Sequence, residues 1–500
     1  MCIRDRCMLR PMLMKSFSSF RGRCVRHLGT AVLCVVLLGS SQTSFAASAG
    51  RQDAVARQPV YTGQRSAETA DRPVAGKSIG MSDAVEHALR FNPGLGAQEA
   101  ESRSSEEGRK SARGAFGPRL GVSYSATKTE SKRDPSATMG TKNPKMGVYS
   151  WGVEVTQPIF QGFRLLSTYQ KAALQADSDK ASLRKAELDM TEQVQTAFLE
   201  YLKAGENTRS MRDSLARLRE QLRIAQAYFE VGLSPRLDVL QAEVDVSEAE
   251  RLLIEAENTQ ATTLARLNTL LGFDATAVNT YTGTLKEVGF RYTLEQCLEL
   301  AYRQRPDLYV AQKAVEIARK SQKEVQSDYY PQIEGYYSMT QSGNTPGMQR
   351  SGENGSHITN WEVGAQATWN VFEWGTTYYA DKQAGWQVTK MRYEQENLKL
   401  EVGYDIKSKY LAVQEARKRI AVAQNSVAQA TEAYNVALAR YHEHVGTNFD
   451  VLDASANLTS AQSSLTGAKA DYLTALSQIY VAMGEYHPDL LREGGAARRK

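Results

Sequence analysis

Cysteine is almost missing from this 500-residue chain: there are five, and Cys2, Cys7, Cys24 and Cys34 all lie near the amino terminus. Cys297 is left alone, so the rest of the chain has no internal disulfide to close. It sits where an amphipathic helix needs a small apolar residue, which reads as a buried, inert thiol. Proline is scarce at 13 residues, and with 36 glycines this argues against an all-β chain cut up by turns. No run of eighteen or more apolar residues occurs, and mean hydropathy is −0.46, which excludes a polytopic helical membrane protein. Nucleophile elbow, phosphate loop and zinc spacing are absent, and no histidine stands out as catalytic. An enzyme reading has nothing to rest on, and no cofactor is expected. With 42% hydrophobic and 23% charged residues, the chain is still rich enough to fold.

The formal charge of +5 is concentrated at one end. Residues 1–46 hold seven basic residues (Arg4, Arg6, Arg10, Lys15, Arg21, Arg23, Arg26) against Asp5, a net +6 that leaves the remainder at −1. A nucleic-acid-binding reading thereby loses its support, and no nucleic-acid partner is expected. Arg21, Arg23 and Arg26 precede an apolar stretch from Leu28 to Leu38, and Ser44-Phe45-Ala46 offers small residues for cleavage. That order predicts a signal peptide over 1–46, with Met14 as the expected true start, and a linker over 47–80.

The body of the chain is one unit written twice. Pro93 and Pro306 are 213 apart, as are Pro118 and Pro331; Phe160 and Phe372 are 212 apart, as are Asp238-Val239-Leu240 and Asp450-Val451-Leu452, and Gly272 and Gly484. An offset held this closely means two copies of one fold, 81–290 and 291–486, followed by a polar tail over 487–500. Each copy predicts a helix (82–115; 293–329, with Thr293 and Gln296 as a capping box), then two strands of alternating pattern. The strands run through Leu120–Ala126, Tyr149–Val155, Ile333–Met339 and Trp361–Trp369, with polar loops over 128–148 and 341–359. Pro118, Pro331 and Pro158 are expected at helix–strand junctions.

Proline-free helices over 163–231 and 378–444 follow, with apolar residues spaced alternately 3 and 4 from Met211 to Phe229 and from Val413 to Tyr441. That is a coiled-coil seam. About 69 residues at 1.5 Å each give a rod of roughly 100 Å, too long for the thickness of a compact domain. The chain turns back at Val231-Gly232-Leu233-Ser234-Pro235 and at Val445-Gly446-Thr447-Asn448 into helices half as long, ending at Gly272 and Gly484. The fold class is therefore mainly α with a small β part: duplicated long α-hairpin coiled coils plus four strands.

Strands of about ten residues have membrane-spanning length, but four of them leave two edges that lipid does not tolerate. Closure would need further chains, eight strands from two or twelve from three. Tyr124, Trp151, Tyr337, Trp361 and Trp369 would form aromatic girdles at the membrane interfaces. A soluble β layer packed on helices is the plainer alternative.

Several signatures carry a family resemblance. Ala-Leu-Arg-Phe-Asn-Pro-Gly-Leu at 88–95 is echoed by Ala-Tyr-Arg-Gln-Arg-Pro-Asp-Leu at 301–308. Gln157-Pro158-Ile159-Phe160 leads into the first long helix, Tyr228-Phe229-Glu230-Val231-Gly232-Leu233 precedes Asp238-Val239-Leu240, and Gly446-Thr447-Asn448-Phe449-Asp450-Val451-Leu452-Asp453-Ala454 follows the second. With these, residues 78–486 resemble the TolC family of outer-membrane channel-tunnels. The resemblance implies a homotrimer with a 12-strand β-barrel in the outer membrane of a Gram-negative bacterium and a periplasmic α-helical tunnel. It also implies a periplasmic adaptor, an inner-membrane RND, ABC or MFS pump, and export without catalysis. Drug efflux, metal efflux and type I secretion share such a component, so the cargo stays open. A periplasmic coiled-coil adaptor and a structural scaffold are the competing classes. The chain departs from the family's pattern at the second tip: three residues after Tyr441, where the family usually has glycine, stands His444, with Gly446 two further on.

Asp450 and Asp453, three apart, share a helix face. By resemblance they form an acidic ring at the narrow periplasmic end; the competing role is helix capping. Asp238, Arg236, Arg440 and Tyr441 are expected in a gate network. Val231, Gly232, Leu233, Val445, Gly446 and Thr447 are expected to dock the adaptor. His442 and His444, two apart, point to different faces and do not read as a metal site.

Overall fold

The computed structural model describes residues 78–130, 145–346, 358–487 and 490–491. The predicted signal peptide, most of the linker and most of the tail lie outside them. The described residues belong to one compact unit.

The first repeat contains β1 (Ser78–Ile79), α1 (Met81–Phe91), α2 (Pro93–Gly114), β2 (Arg119–Glu130), β3 (Lys145–Gln161), α3 (Arg164–Glu230) and α4 (Arg236–Leu271). After β4 (Thr280–Tyr281), the second contains α5 (Leu294–Gln304), α6 (Pro306–Gln326), a 3₁₀ turn (Ser327–Tyr329), β5 (Gln332–Gly343), β6 (Ile358–Thr368), α7 (Thr376–His442) and α8 (Asn448–Ala482). The long helices α3 and α7 have 67 residues each, about 100 Å at the α-helical rise.

Three expectations need correction. Each pre-strand helix is two helices, because a residue before proline is driven out of the α region. Asn92 and Arg305 have ψ of 123° and 122°, and Pro93 and Pro306 open the next helix. Asn92 also caps α2, its Oδ1 accepting from the Gly94 and Leu95 amides. Pro158 does not mark a junction; it lies inside β3, where the pairing slips between Pro158 and Phe160. Such a bulge accommodates the missing N–H. The strands also run longer than expected into the polar loops, and the two-residue parallel pair β1–β4 is too short to leave a period in sequence.

The break at each proline is gripped by the other end of its own repeat. Gly272, at φ +80°, lies so close to the Phe91 carbonyl that a Cβ would come within 2.9 Å of its oxygen. Gly484, at φ +78°, stands in the same relation to Gln304. Left-handed geometry and lack of space both demand glycine there. The main core gathers around the middle of the long helices, where these ends meet: Val194, Phe198 and Leu199 from α3, Ile406 and Val413 from α7, Leu473, Leu476 and Ile479 from α8. Cys297, at the capped start of α5, is buried in it, and burial pushes its thiol up to about 11.

The sheet is antiparallel, in the order β2-β3-β5-β6. Its register separates two faces. Leu120, Val122, Tyr124, Trp151, Val153, Val155, Tyr337, Met339, Trp361 and Val363 share one; Ser123, Ser125, Ser150, Glu154, Ser338, Thr340 and Glu362 share the other. Among the described residues nothing covers the apolar face: Leu120, Val122, Trp361 and Val363 are all exposed. Outer edges β2 and β6 have no strand partner among the described residues.

Candidate functional site at the hairpin tips

At the first tip α3 ends in a Schellman turn. Gly232 takes φ +74°, the Leu233 amide donates to the Tyr228 carbonyl at 2.8 Å, and the Gly232 amide donates to Phe229 at 3.0 Å. The second tip repeats this pattern with different chemistry. The Val445 amide donates to Arg440 at 2.9 Å and the His444 amide to Tyr441 at 3.1 Å. The left-handed residue is His444, at φ +59°, in the place Gly232 fills in the first repeat. Gly446 is needed for another reason: a Cβ there would meet the Arg440 Cβ at 3.0 Å.

The His444 ring stacks obliquely on Tyr228 at 4.9 Å, and Tyr228 meets Tyr441 at 5.5 Å, so the two tips touch through aromatic rings. Tyr441 is buried, its hydroxyl has no hydrogen-bond partner among the described residues, and burial together with the nearby Asp238 pushes it up to about 12. Sequence reasoning missed the polar link beneath. Asn448, fully buried, accepts from Gln221 Nε2 at 2.7 Å and donates to the Asp238 carbonyl at 3.0 Å, tying α8 to both helices of the first hairpin. The available signal was Asn448 directly after the tip Thr447, where the repeat offset places Arg236 in the other copy.

Asp450 belongs to a capping box: its Oδ2 accepts from the Thr447 amide at 3.0 Å, and the Thr447 hydroxyl accepts from the Asp450 amide at 3.2 Å. The Thr447 amide bond, first, and its hydroxyl hold the carboxyl below its ordinary value, with help from the Arg440 charge. Asp453, one turn on, is exposed and accepts from Asn457 at 3.0 Å. Asp238 follows Pro235, which has no side-chain cap to offer, and partial burial raises its carboxyl. Arg236 and Arg440 are exposed and form no ion pair among the described residues; Arg440 reaches only the Val445 carbonyl, at 3.4 Å. Val231, Leu233 and Val445 are more than 60% exposed, apolar side chains at the far ends of the rods. No grouping of His, Cys, Asp and Glu among the described residues has the makings of a metal site.

At the opposite end, Tyr124, Trp151, Tyr337 and Trp361 share the apolar sheet face, and Trp369 lies just past β6. Trp151 Nε1 donates to Gln341 at 2.6 Å. A second aromatic group, not expected from the sequence, surrounds the strand–helix junctions: Phe163, Tyr330, Phe372, Trp374 and Tyr378 are all exposed there.

The chain thus joins long duplicated hairpins to a sheet with one apolar and one polar face. The family model for outer membrane efflux proteins matches residues 84–273 and 297–485, and the chain belongs to that family. It is an outer-membrane channel for efflux or secretion. The chain is 25% identical over 415 residues to the alkaline protease secretion protein AprF of Pseudomonas aeruginosa, covering 80% of this chain and 84% of that protein. It is 24% identical over 412 residues to the outer membrane protein TolC of Vibrio cholerae, covering 81% and 90%. Among solved structures, the CmeC outer membrane channel of Campylobacter jejuni superposes with a TM-score of 0.71 at 17% identity, covering 81% and 85%.

Proposed function

We propose that three copies of this chain close a twelve-stranded barrel in the outer membrane, and that their hairpins continue it as a tunnel into the periplasm. The observation that carries this is the four-stranded sheet, apolar on one face, polar on the other and, among the described residues, unpaired at both edges. Lipid tolerates neither edge, so the sheet needs copies of itself. Twelve strands leave a passage, whereas eight would be filled by side chains. The aromatics on the apolar face would lie against the membrane interfaces.

The duct is passive. A periplasmic adaptor recruits it by contact with the tips, where Val231, Gly232, Leu233, Val445, Gly446 and Thr447 present a small, partly apolar surface. An inner-membrane RND, ABC or MFS pump supplies the energy. Six carboxylates from Asp450 and Asp453 ring the periplasmic mouth and favour cations. Asp450's capping bond is compatible with this, since its carboxylate remains exposed. Tyr441, Asp238, Arg236 and Arg440 lie around that mouth, and Tyr441, packed on Tyr228, is the contact that changes when it opens. Outer-membrane fractionation followed by crosslinking tests the assembly: a detergent-resistant trimer is expected, and a soluble periplasmic monomer would overturn it.

A further inference from the structure

The apolar side of the sheet continues past the ends of its strands. Beyond the bulge at Pro158, Phe160 pairs with Ile333, which shares a face with Tyr337 and Met339. Rings lead on from there to the helices: Phe160 meets Phe163 at 5.4 Å, and Phe163 meets Tyr330 at 6.0 Å, both edge to face. They open on a groove between the packed helices α3 and α6. It is a cavity of about 440 Å³, and Phe163, Leu166, Gln170, Lys320, Lys323 and Tyr330 are among the residues that line it. Phe163 is exposed and has φ +66°, a left-handed geometry that a bulky side chain rarely takes.

Two cations stand farther along the groove. Lys320 Nζ donates to Gln170 Oε1 at 2.7 Å, a neutral partner that leaves its charge uncompensated. Lys323 is exposed and has no hydrogen bond or ion pair among the described residues. The neighbouring acids are engaged elsewhere. Glu324 accepts from Lys171 at 2.6 Å, Glu316 accepts from Lys313 at 3.0 Å, and Asp328 pairs with Arg164. Duplication does not repeat the arrangement: the repeat offsets replace Phe163, Tyr330 and Lys320 by Gly375, Gly117 and Glu107. Rings and free cations therefore meet at this one junction.

The depth also fits. Helix α6 ends at Gln326, so Lys323 and Lys320 lie about 5 and 9 Å back along its axis. The headgroup layer of a bilayer extends roughly 5–8 Å beyond the hydrocarbon on each side. With the rings at the hydrocarbon edge, both ammonium groups reach the layer where lipid phosphates lie. A lipid there could run its acyl chains along the apolar sheet face.

We propose that this groove binds a glycerophospholipid of the periplasmic leaflet. Lys320 and Lys323 hold its phosphate, and Phe163, Leu166 and Tyr330 pack against its glycerol and first acyl carbons. This rests on the apolar sheet face lying against lipid, as proposed above, and adds a defined lipid site to it.

The test is native mass spectrometry of the full-length protein, titrated in detergent with phosphatidylglycerol. Wild-type protein should retain the lipid, and the Lys320→Gln, Lys323→Gln double variant should bind it at least about tenfold more weakly. Lys320→Arg with Lys323→Arg should keep binding, because the charge is kept. Lys110→Gln, at the position equivalent to Lys323 in the first repeat, should change nothing. Diacylglycerol with the same chains should bind as weakly as the double variant. Inorganic phosphate should not displace the lipid; full displacement would make this a site for a free anion and overturn the lipid assignment. Equal retention by wild type and double variant, or of diacylglycerol and phosphatidylglycerol, would overturn the site. Crosslinked trimers in the outer membrane alongside such unselective retention would leave the proposed assembly standing. A wild-type protein that fractionates as a soluble monomer would overturn that assembly and this site with it.

Discussion

The two hairpin tips occupy equivalent places in a duplicated chain and are finished by different chemistry. The first turns on glycine: Gly232 takes the left-handed position with open space around it. The second turns on His444, whose left-handed backbone costs more but whose ring reaches Tyr228 in the other hairpin. The first helix to return, α4, is preceded by Pro235, which offers no side-chain cap, whereas α8 starts with a reciprocal capping box. Asp238 and Asp450 are twins by sequence and are pushed in opposite directions, one up by burial and one down by hydrogen bonds. Duplication thus conserves the shape of the turn and frees its side chains for separate tasks. The first tip is an unobstructed surface; the second holds the hairpins together and carries the doubled acids.

Substitutions that exchange or erase these differences should have graded effects. The largest is expected from Gly232→Trp, which fills the open side of the first tip. Transport of exported cargo should be lost while trimers still reach the outer membrane; normal transport would remove the first tip from the docking surface. His444→Trp, at a place already occupied by a ring against Tyr228, should retain transport in the same assay.

Asn448→Ala comes next. It strands the buried Gln221 amide and should cost about 1–3 kcal/mol, read as a lowered thermal midpoint. Arg236→Ala, at the equivalent position in the first repeat, is exposed and should shift stability by no more than about 0.5 kcal/mol. Equal losses would show that the link beneath the second tip is unimportant.

Gly232→Ala forces a Cβ into the left-handed region and should cost about 1 kcal/mol. In His444→Ala the backbone cost is unchanged, and the loss is the ring contact, about 0.5–1.5 kcal/mol. Here Tyr228→Ala distinguishes the two: it should abolish the effect of His444→Ala and leave that of Gly232→Ala intact.

The smallest effect is in pH dependence. Asp450 has a folded value below the ordinary 3.8, so its contribution is present above that value and lost as pH falls through the lower folded one. Asp238 has a raised folded value, so its contribution is present below 3.8 and lost as pH rises through the folded one. Melting curves across the acid range should therefore flatten in opposite senses for Asp450→Asn and Asp238→Asn. Parallel changes would contradict the assignment of environments.

Much of this architecture is legible in the sequence because it is periodic. The offset of 212 to 213 exposes the duplication, spacing of 3 and 4 exposes α3 and α7, and period-two alternation exposes the sheet and its apolar face. What stayed hidden depends on single residues in three dimensions. The breaks at Pro93 and Pro306 fall inside stretches that read as one helix each. Pro158 reads as a strand end until the bulge beside it is visible. The buried Asn448–Gln221 link joins residues 227 apart and leaves no periodic trace. The departure at His444 was readable as a missing glycine, but its stacking on Tyr228 was not.

The acidic ring proposed for the periplasmic mouth belongs to the second tip, with Asp450 and Asp453, and not to the first. Reversal potentials of single channels in a planar bilayer under a salt gradient test it directly. Wild-type channels should prefer cations, the Asp450→Ala, Asp453→Ala double variant should lose that preference, and Asp238→Ala should keep it. An unchanged reversal potential in the double variant, accompanied by a lower melting temperature, would rule out the acidic ring and leave Asp450 as a helix cap alone.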